Sequence, residues 1–138
     1  MKPIKTVFDT NVYLAASKKS SYARVHLQRA RPNGPYRLYI SPEIILEMRN
    51  KLEIKFGYTP EESGKFIEMV LLYATLVQPK QRISGVLKDA DDHIILECAL
   101  EADAKMIVSA DKGLLKLKEF RGITIIHPTM LQYMFPQS

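Results

Sequence analysis

The sequence predicts an α/β fold, a mostly parallel sheet covered on both faces by helices. Three observations carry the prediction. Segments of strand character alternate with segments of helical period along the chain. The strands are short continuous apolar runs, whereas a half-exposed sheet would alternate apolar and polar residues. The chain has 138 residues, enough for one filled core and too few for two ordinary domains, so residues 1–138 are expected to form a single domain.

The first strand is Ile4 to Phe8, β-branched and aromatic, and it stops abruptly at Asp9-Thr10-Asn11. A short helix is expected over residues 11–17, and Ser20-Ser21 caps a second helix carrying Ala23, Val25, Leu27 and Ala30. Pro32-Asn33-Gly34-Pro35 ends it. Tyr36 to Ile40 is a strand, and Ser41-Pro42 then supplies an N-cap with proline at the first helical position. That helix extends to about Phe56, with Ile45, Met48 and Leu52 on one face, and Gly57 terminates it.

Thr59-Pro60-Glu61-Glu62 opens the next helix by the same chemistry and carries it towards Ala74. Its later half is almost wholly apolar and is expected to be buried. A short strand at Leu76-Val77 and a polar loop over residues 80–88 follow. A helix is predicted over residues 91–103, a strand over 105–110, and a short helix from Asp111 through Leu117. Ile123 to Ile126 is the last strand, and Pro128 starts a closing helix with Met130, Leu131 and Met134.

Composition narrows the function classes. Apolar residues make up 46% and charged residues 25%, ordinary for a globular protein. No apolar run approaches the roughly 18 residues of a membrane span, and Asp9 interrupts any secretory leader pattern. The single cysteine, Cys98, excludes an internal disulfide framework and a cysteine-based zinc site. A cytoplasmic setting is expected on that basis. The net charge of +5 suits nucleic acid or acidic partners, although solvated lysine accounts for it equally well.

Acidic residues carry the functional signal. In parallel α/β sheets, sites gather outside the carboxyl ends of the strands. Asp9 ends the first strand and Asp111 follows the strand over residues 105–110, so both emerge on one edge if those strands are central and parallel. Asp92 opens the helix before the latter strand and faces the same edge. Glu47 lies about one and a half turns into the helix that begins at Pro42, beside Ile44 and Met48. Each has a structural alternative: Asp91 and Asp92 as caps, Asp9 and Asp111 as turn or cap residues, Glu47 as a solvated glutamate. Four carboxylates held together repel, however, and their joint placement calls for a cation. Magnesium or manganese suits an all-oxygen set, one or two ions being accommodated. The histidines His26, His93 and His127 are scattered, and no phosphate-cradling glycine loop is present.

At these residues the chain resembles a PIN domain, specifically the VapC-like toxins of toxin–antitoxin systems. Phe8-Asp9-Thr10-Asn11-Val12, Ser41-Pro42-Glu43 leading to Glu47, Lys88-Asp89-Ala90-Asp91-Asp92 and Val108-Ser109-Ala110-Asp111 carry the likeness in matching order and spacing. The resemblance implies a three-layer α/β/α sandwich and metal-dependent ribonuclease activity. It implies an acidic pocket of Asp9, Glu47, Asp92 and Asp111, with Asp9, Asp92 and Asp111 as metal ligands and Asn11 and Ser109 as polar supports. A cognate antitoxin and a homodimer are also implied, with Tyr22, Leu27, Phe66 and Tyr73 as candidate contacts. Many relatives carry an acid or amide two residues after the last aspartate, where this chain has Gly113.

The expected reaction is hydrolysis of an RNA phosphodiester. Lys18, Lys19, Lys112 and Lys116, with Arg82 or Lys88, are the candidate backbone-binding cations. The competing reading is a PIN-like module that binds RNA or protein with an incomplete pocket. A phosphoacceptor receiver or aspartyl phosphatase fits poorly, because position 11 is Asn and only one acid follows the first strand.

Overall fold

The computed structural model describes residues 2–136. The first predicted strand, β1 (Ile4–Phe8), sits inside a six-stranded sheet. Beside it lie β2 (Tyr36–Ile40) and β4 (Met106–Val108), both parallel to it. Outward from β2 comes β3 (Ala74–Leu76), and outward from β4 come β6 (Ile123–Ile126) and the two-residue β5 (Glu119–Phe120). Among the described residues only the β5–β6 pair is antiparallel. The chain winds away from β1 on one side through β2 and β3, then returns to its other side at β4. The reversal of strand order therefore falls between β1 and β4, in register Phe8 against Val108.

The helices are α1 (Thr10–Ala16), α2 (Tyr22–Gln28), α3 (Pro42–Ile54), α4 (Pro60–Tyr73), α5 (His93–Glu101), α6 (Lys112–Leu117) and α7 (Met130–Met134). Their starts follow local chemistry. Ser21 Oγ accepts from Arg24 N–H, Ser41 Oγ from Ile44 N–H, and Thr59 with Glu62 forms a reciprocal capping box. Gly57 ends α3 in the left-handed region at φ 72°. None of the helices is long and apolar enough to cross a membrane.

Burial departs from expectation in three places. The stripe of α3 that enters the core is Ile44, Met48 and Leu52, while Ile45 is only half-buried. In α4 the buried positions are Ser63, Phe66, Ile67 and Val70, a spacing of three and four. That spacing rotates Leu71 and Leu72 outward, and Leu72 is 80% exposed despite the apolar run around it. Leu27 and Phe66 are buried in the core, so neither can meet a second chain; Tyr22 is exposed and Tyr73 half-buried.

Several elements differ from the predicted boundaries: β3 spans Ala74–Leu76 where Leu76-Val77 was expected, and β4 only Met106–Val108 of the strand expected over 105–110. The helix expected from residue 91 begins with a single 3-10 turn, Ala90–Asp92, before α5 proper. Strand β5 was not predicted; it forms because Arg121 and Gly122 both adopt positive φ, 50° and 84°, the geometry of a tight hairpin.

Candidate active site

Asp9 leaves β1 with its backbone extended, its amide donating to Val108 O across the β1–β4 junction at 2.9 Å. It occupies the N-cap position of α1, yet its side chain caps nothing there. Its carboxylate is 3% exposed. Oδ2 accepts instead from Ser109 Oγ at 2.8 Å, and Ser109 Oγ accepts from the Asp111 amide at 2.9 Å. A hydroxyl has a single proton to give. Because the Asp111 amide occupies an acceptor site on Ser109, that proton is committed to Asp9. The two strand-end segments are thus joined by a short relay, Asp111 N–H to Ser109 to Asp9.

Asp111 follows β4 by three residues and caps α6, Oδ2 accepting from Leu114 N–H at 3.0 Å. Gly113 lies against the same oxygen: a Cβ there would approach Oδ2 to 3.1 Å. Asp92 ends the 3-10 turn at the N-cap position of α5, again with no side-chain capping bond. Asp89 is the residue that caps locally, accepting from Asp91 N–H at 3.1 Å. Glu47 is half-buried on α3 and faces Lys51 Nζ at 3.9 Å.

These four acids feel one another. Burial pushes the Asp92 carboxyl up to about 7, and the charges of Asp111, Asp9, Asp89 and Glu47 add to the shift. Asp9 is raised as well, by burial first; its hydrogen bonds from Ser109 and the Thr10 backbone oppose this, while Asp111 and Glu47 reinforce it. The Asp9 and Asp92 carboxylates are therefore destabilised as anions, by burial first and then by neighbouring acids. Among the described residues, however, no three acidic, histidine or cysteine side chains stand close enough to hold one metal ion together.

The remaining candidates separate by position. Asn11 is exposed on α1 and lines two cavities, of about 180 and 460 Å³. Lys18 lines the larger one; Lys19, Lys112 and Lys116 are exposed, and Lys88 is exposed in the loop before α5. Arg82 is committed elsewhere, bridging Glu97 at 3.2 Å and Glu43 at 3.7 Å, so the loop cation suggested for RNA serves the loop itself. Sequence reasoning missed Lys51 and Lys55, which line the 460 Å³ cavity with Lys18. Their signal was available, since Glu47, Lys51 and Lys55 recur every four residues along α3.

His93 has a structural role. Its Nε2 accepts from Val86 N–H at 3.2 Å and Leu87 N–H at 3.0 Å, which makes Nδ1 the donor to Ala90 O at 2.9 Å. Cys98 is buried, its thiol pushed up to about 12 by burial, and it is inert at neutral pH.

The sequence profile of the PIN domain matches residues 5–113. Among solved structures, the chain is similar to one in the crystal structure of VapBC2 from Rickettsia felis bound to a DNA fragment from their promoter. The TM-score is 0.64 at 14% identity, over 90% of this chain and 98% of that one. No curated protein matches significantly.

Proposed function

The chain belongs to the PIN domain family, and from that premise we propose that it is a divalent-metal-dependent endoribonuclease, the toxin of a toxin–antitoxin pair. The observation that carries the proposal is the placement of buried Asp9 and of Asp111 just beyond the carboxyl ends of the neighbouring parallel strands β1 and β4, linked through Ser109, with the charges of Asp111 and Glu47 reinforcing the burial that raises Asp9 and Asp92. Without a cation that arrangement only costs stability. The donor set is all carboxylate oxygen, which fits magnesium or manganese and not a soft metal. Asp9, Asp92 and Asp111 would hold one or two such ions, with Glu47 closing the pocket. A bound ion of this kind supplies an activated water and neutralises charge on a phosphodiester.

The protein's own residues do the rest. Ser109 aims the Asp9 carboxylate, and its donated hydrogen bond favours the charged form against the larger effect of burial. Glu47, loosely paired with Lys51, is positioned to orient a water. Asn11 presents an uncharged amide at the rim, and Lys18, Lys19, Lys112 and Lys116 bind the RNA backbone, joined by Lys51 and Lys55. The VapBC2 assembly of the similar structure supports a cognate antitoxin for this chain; a homodimer would use surfaces other than Leu27 and Phe66.

Purified protein should cleave single-stranded RNA with magnesium or manganese, and Asp9→Asn should lower the rate by two orders of magnitude or more. Equal cleavage by parent and variant would sink this mechanism. The second reading, a PIN domain that binds RNA or protein without cutting, has Gly113 in its favour, since the family position often adds an acid or amide there. Calorimetry separates the two. A degenerate pocket binds manganese no better than the Asp9→Asn variant does.

A further inference from the structure

Two cavities lie along α2, of about 180 and 330 Å³, and both are lined by Tyr22, His26 and Gln132. The inner one reaches Asn11, two residues past Asp9, and Ala110, between Ser109 and Asp111. The outer one reaches Arg29 and Phe135. A cleft between α2 and α7 thus reaches residues that flank Asp9 and Asp111 in the chain.

Its side chains are poorly explained by folding. Tyr22 is 75% exposed, so the core makes little use of its ring. His26 is the opposite: it is 3% exposed, yet its Nδ1 finds no hydrogen-bond partner among the described residues. Leaving such an atom unpaired costs stability. Burial first, then Arg29, lowers its pKa, which keeps the ring neutral. Gln132 adds an exposed amide, with donors and an acceptor, among walls built from Val12, Ala23 and Pro128.

Apolar walls, an aromatic face and a few uncharged polar groups suit a flat heterocycle with a hydrogen-bonding edge. An acidic peptide would need more cations than Arg29 offers. An apolar helix would leave the His26 and Gln132 polar atoms unpaired. Arg29 at the outer end complements the phosphate of a following nucleotide, and the basic cavity of Lys18, Lys51 and Lys55 lies on the other side of Asn11.

We propose that the α2–α7 cleft is a nucleobase subsite, in which Tyr22 stacks on the base next to the scissile phosphate while Gln132 meets its polar edge and the neutral His26 ring lines the wall. This deepens the ribonuclease reading and rests on it. The cleft would give the enzyme its base preference, whereas the lysines contribute affinity without regard to sequence.

Two measurements test it separately. In the first, AMP, CMP, GMP and UMP are titrated into metal-free protein while the ring signals of Tyr22 and His26 are followed by NMR. Saturable shifts are expected, strongest for one base, and ribose 5-phosphate should leave Tyr22 unmoved. No shift with any nucleotide, or an equal shift with ribose 5-phosphate, overturns the subsite even if RNA is cut. In the second, a random-sequence RNA pool is digested. Tyr22→Ala should raise KM by roughly fivefold or more and flatten the base preference beside the cut, with manganese affinity as in the parent. Unchanged KM and preference overturn the proposal. Failure of the parent to cut any RNA counts against the ribonuclease reading alone, and the nucleotide titration still decides the cleft.

Discussion

Asp92 and Asp9 make the pocket sensitive to pH in a direction that can be worked out. Both carboxyls are raised, Asp92 to about 7 from 3.8. Between those values the folded protein keeps protons that the unfolded chain has released. The unfolded state then binds fewer protons, so stability falls as pH rises through the window. Metal-free protein should melt at a lower temperature at about pH 8 than at about pH 5, and Asp92→Asn should remove most of that slope. Manganese competes with the same protons, so its stabilising effect should grow over the same range. A melting temperature that climbs towards pH 8 without metal would contradict the origin assigned to these shifts.

Ser109 is the other residue whose removal is informative. Ser109→Ala takes away the donor to Asp9 and the acceptor for the Asp111 amide together. The expected cost is about 1–3 kcal/mol in denaturant unfolding, with weaker manganese binding because the Asp9 anion loses its support. Full retention of manganese affinity would reduce Ser109 to a purely structural residue.

Among the elements, the segment over residues 77–89 depends most on distant contacts. It leaves β3 and is strapped to α5: Glu97 accepts from Ile83 N–H at 2.9 Å and pairs with Arg82, Glu101 accepts from Lys80 N–H at 3.1 Å, and His93 takes two amides. Glu97 is buried, so truncating it strands the Ile83 amide. Glu97→Ala should cost about 2–4 kcal/mol and speed hydrogen exchange at Ile83 well beyond that at β1 amides. Uniform exchange across the two sites would mean that the segment is held by something else. None of these straps was legible in the sequence, because each joins a loop donor to a side chain of α5 between 6 and 21 positions away. The caps at Ser21, Ser41 and Thr59 were legible, since a capping bond spans three residues. The outward turn of Leu72 shows the limit of an apolar run: only the spacing of Ser63, Phe66, Ile67 and Val70 tells which face is buried.

For the molecule as a whole, the net charge of +5 acquires a direction. Lys18, Lys51 and Lys55 line one cavity beside Asn11, and Lys112 and Lys116 follow Asp111 on α6. If these contact phosphates, binding of single-stranded RNA should weaken with salt by about 0.7 log units per log unit of salt for each contact. Replacing Lys55 or Lys116 by alanine should then lower the slope by about that amount without altering base preference. A slope indifferent to both changes would return these lysines to ordinary solvation.

The acids were identifiable from sequence because two local features coincided, an apolar strand and a carboxylate where it stops. Asp9 and Asp111 each follow such a strand and Asp92 opens α5, and in a parallel sheet residues so placed are expected at one edge. Alternation of strand and helix was sufficient for the fold class. What sequence could not determine is how close those acids come, and what else surrounds them. The proton of Ser109 is assigned to Asp9 by a contact spanning 100 residues, Arg82 is withdrawn from the pocket by Glu43 and Glu97, and His26 is brought to the cleft with Tyr22. Burial and charge repulsion act through distances in space, and only the packed structure supplies those distances.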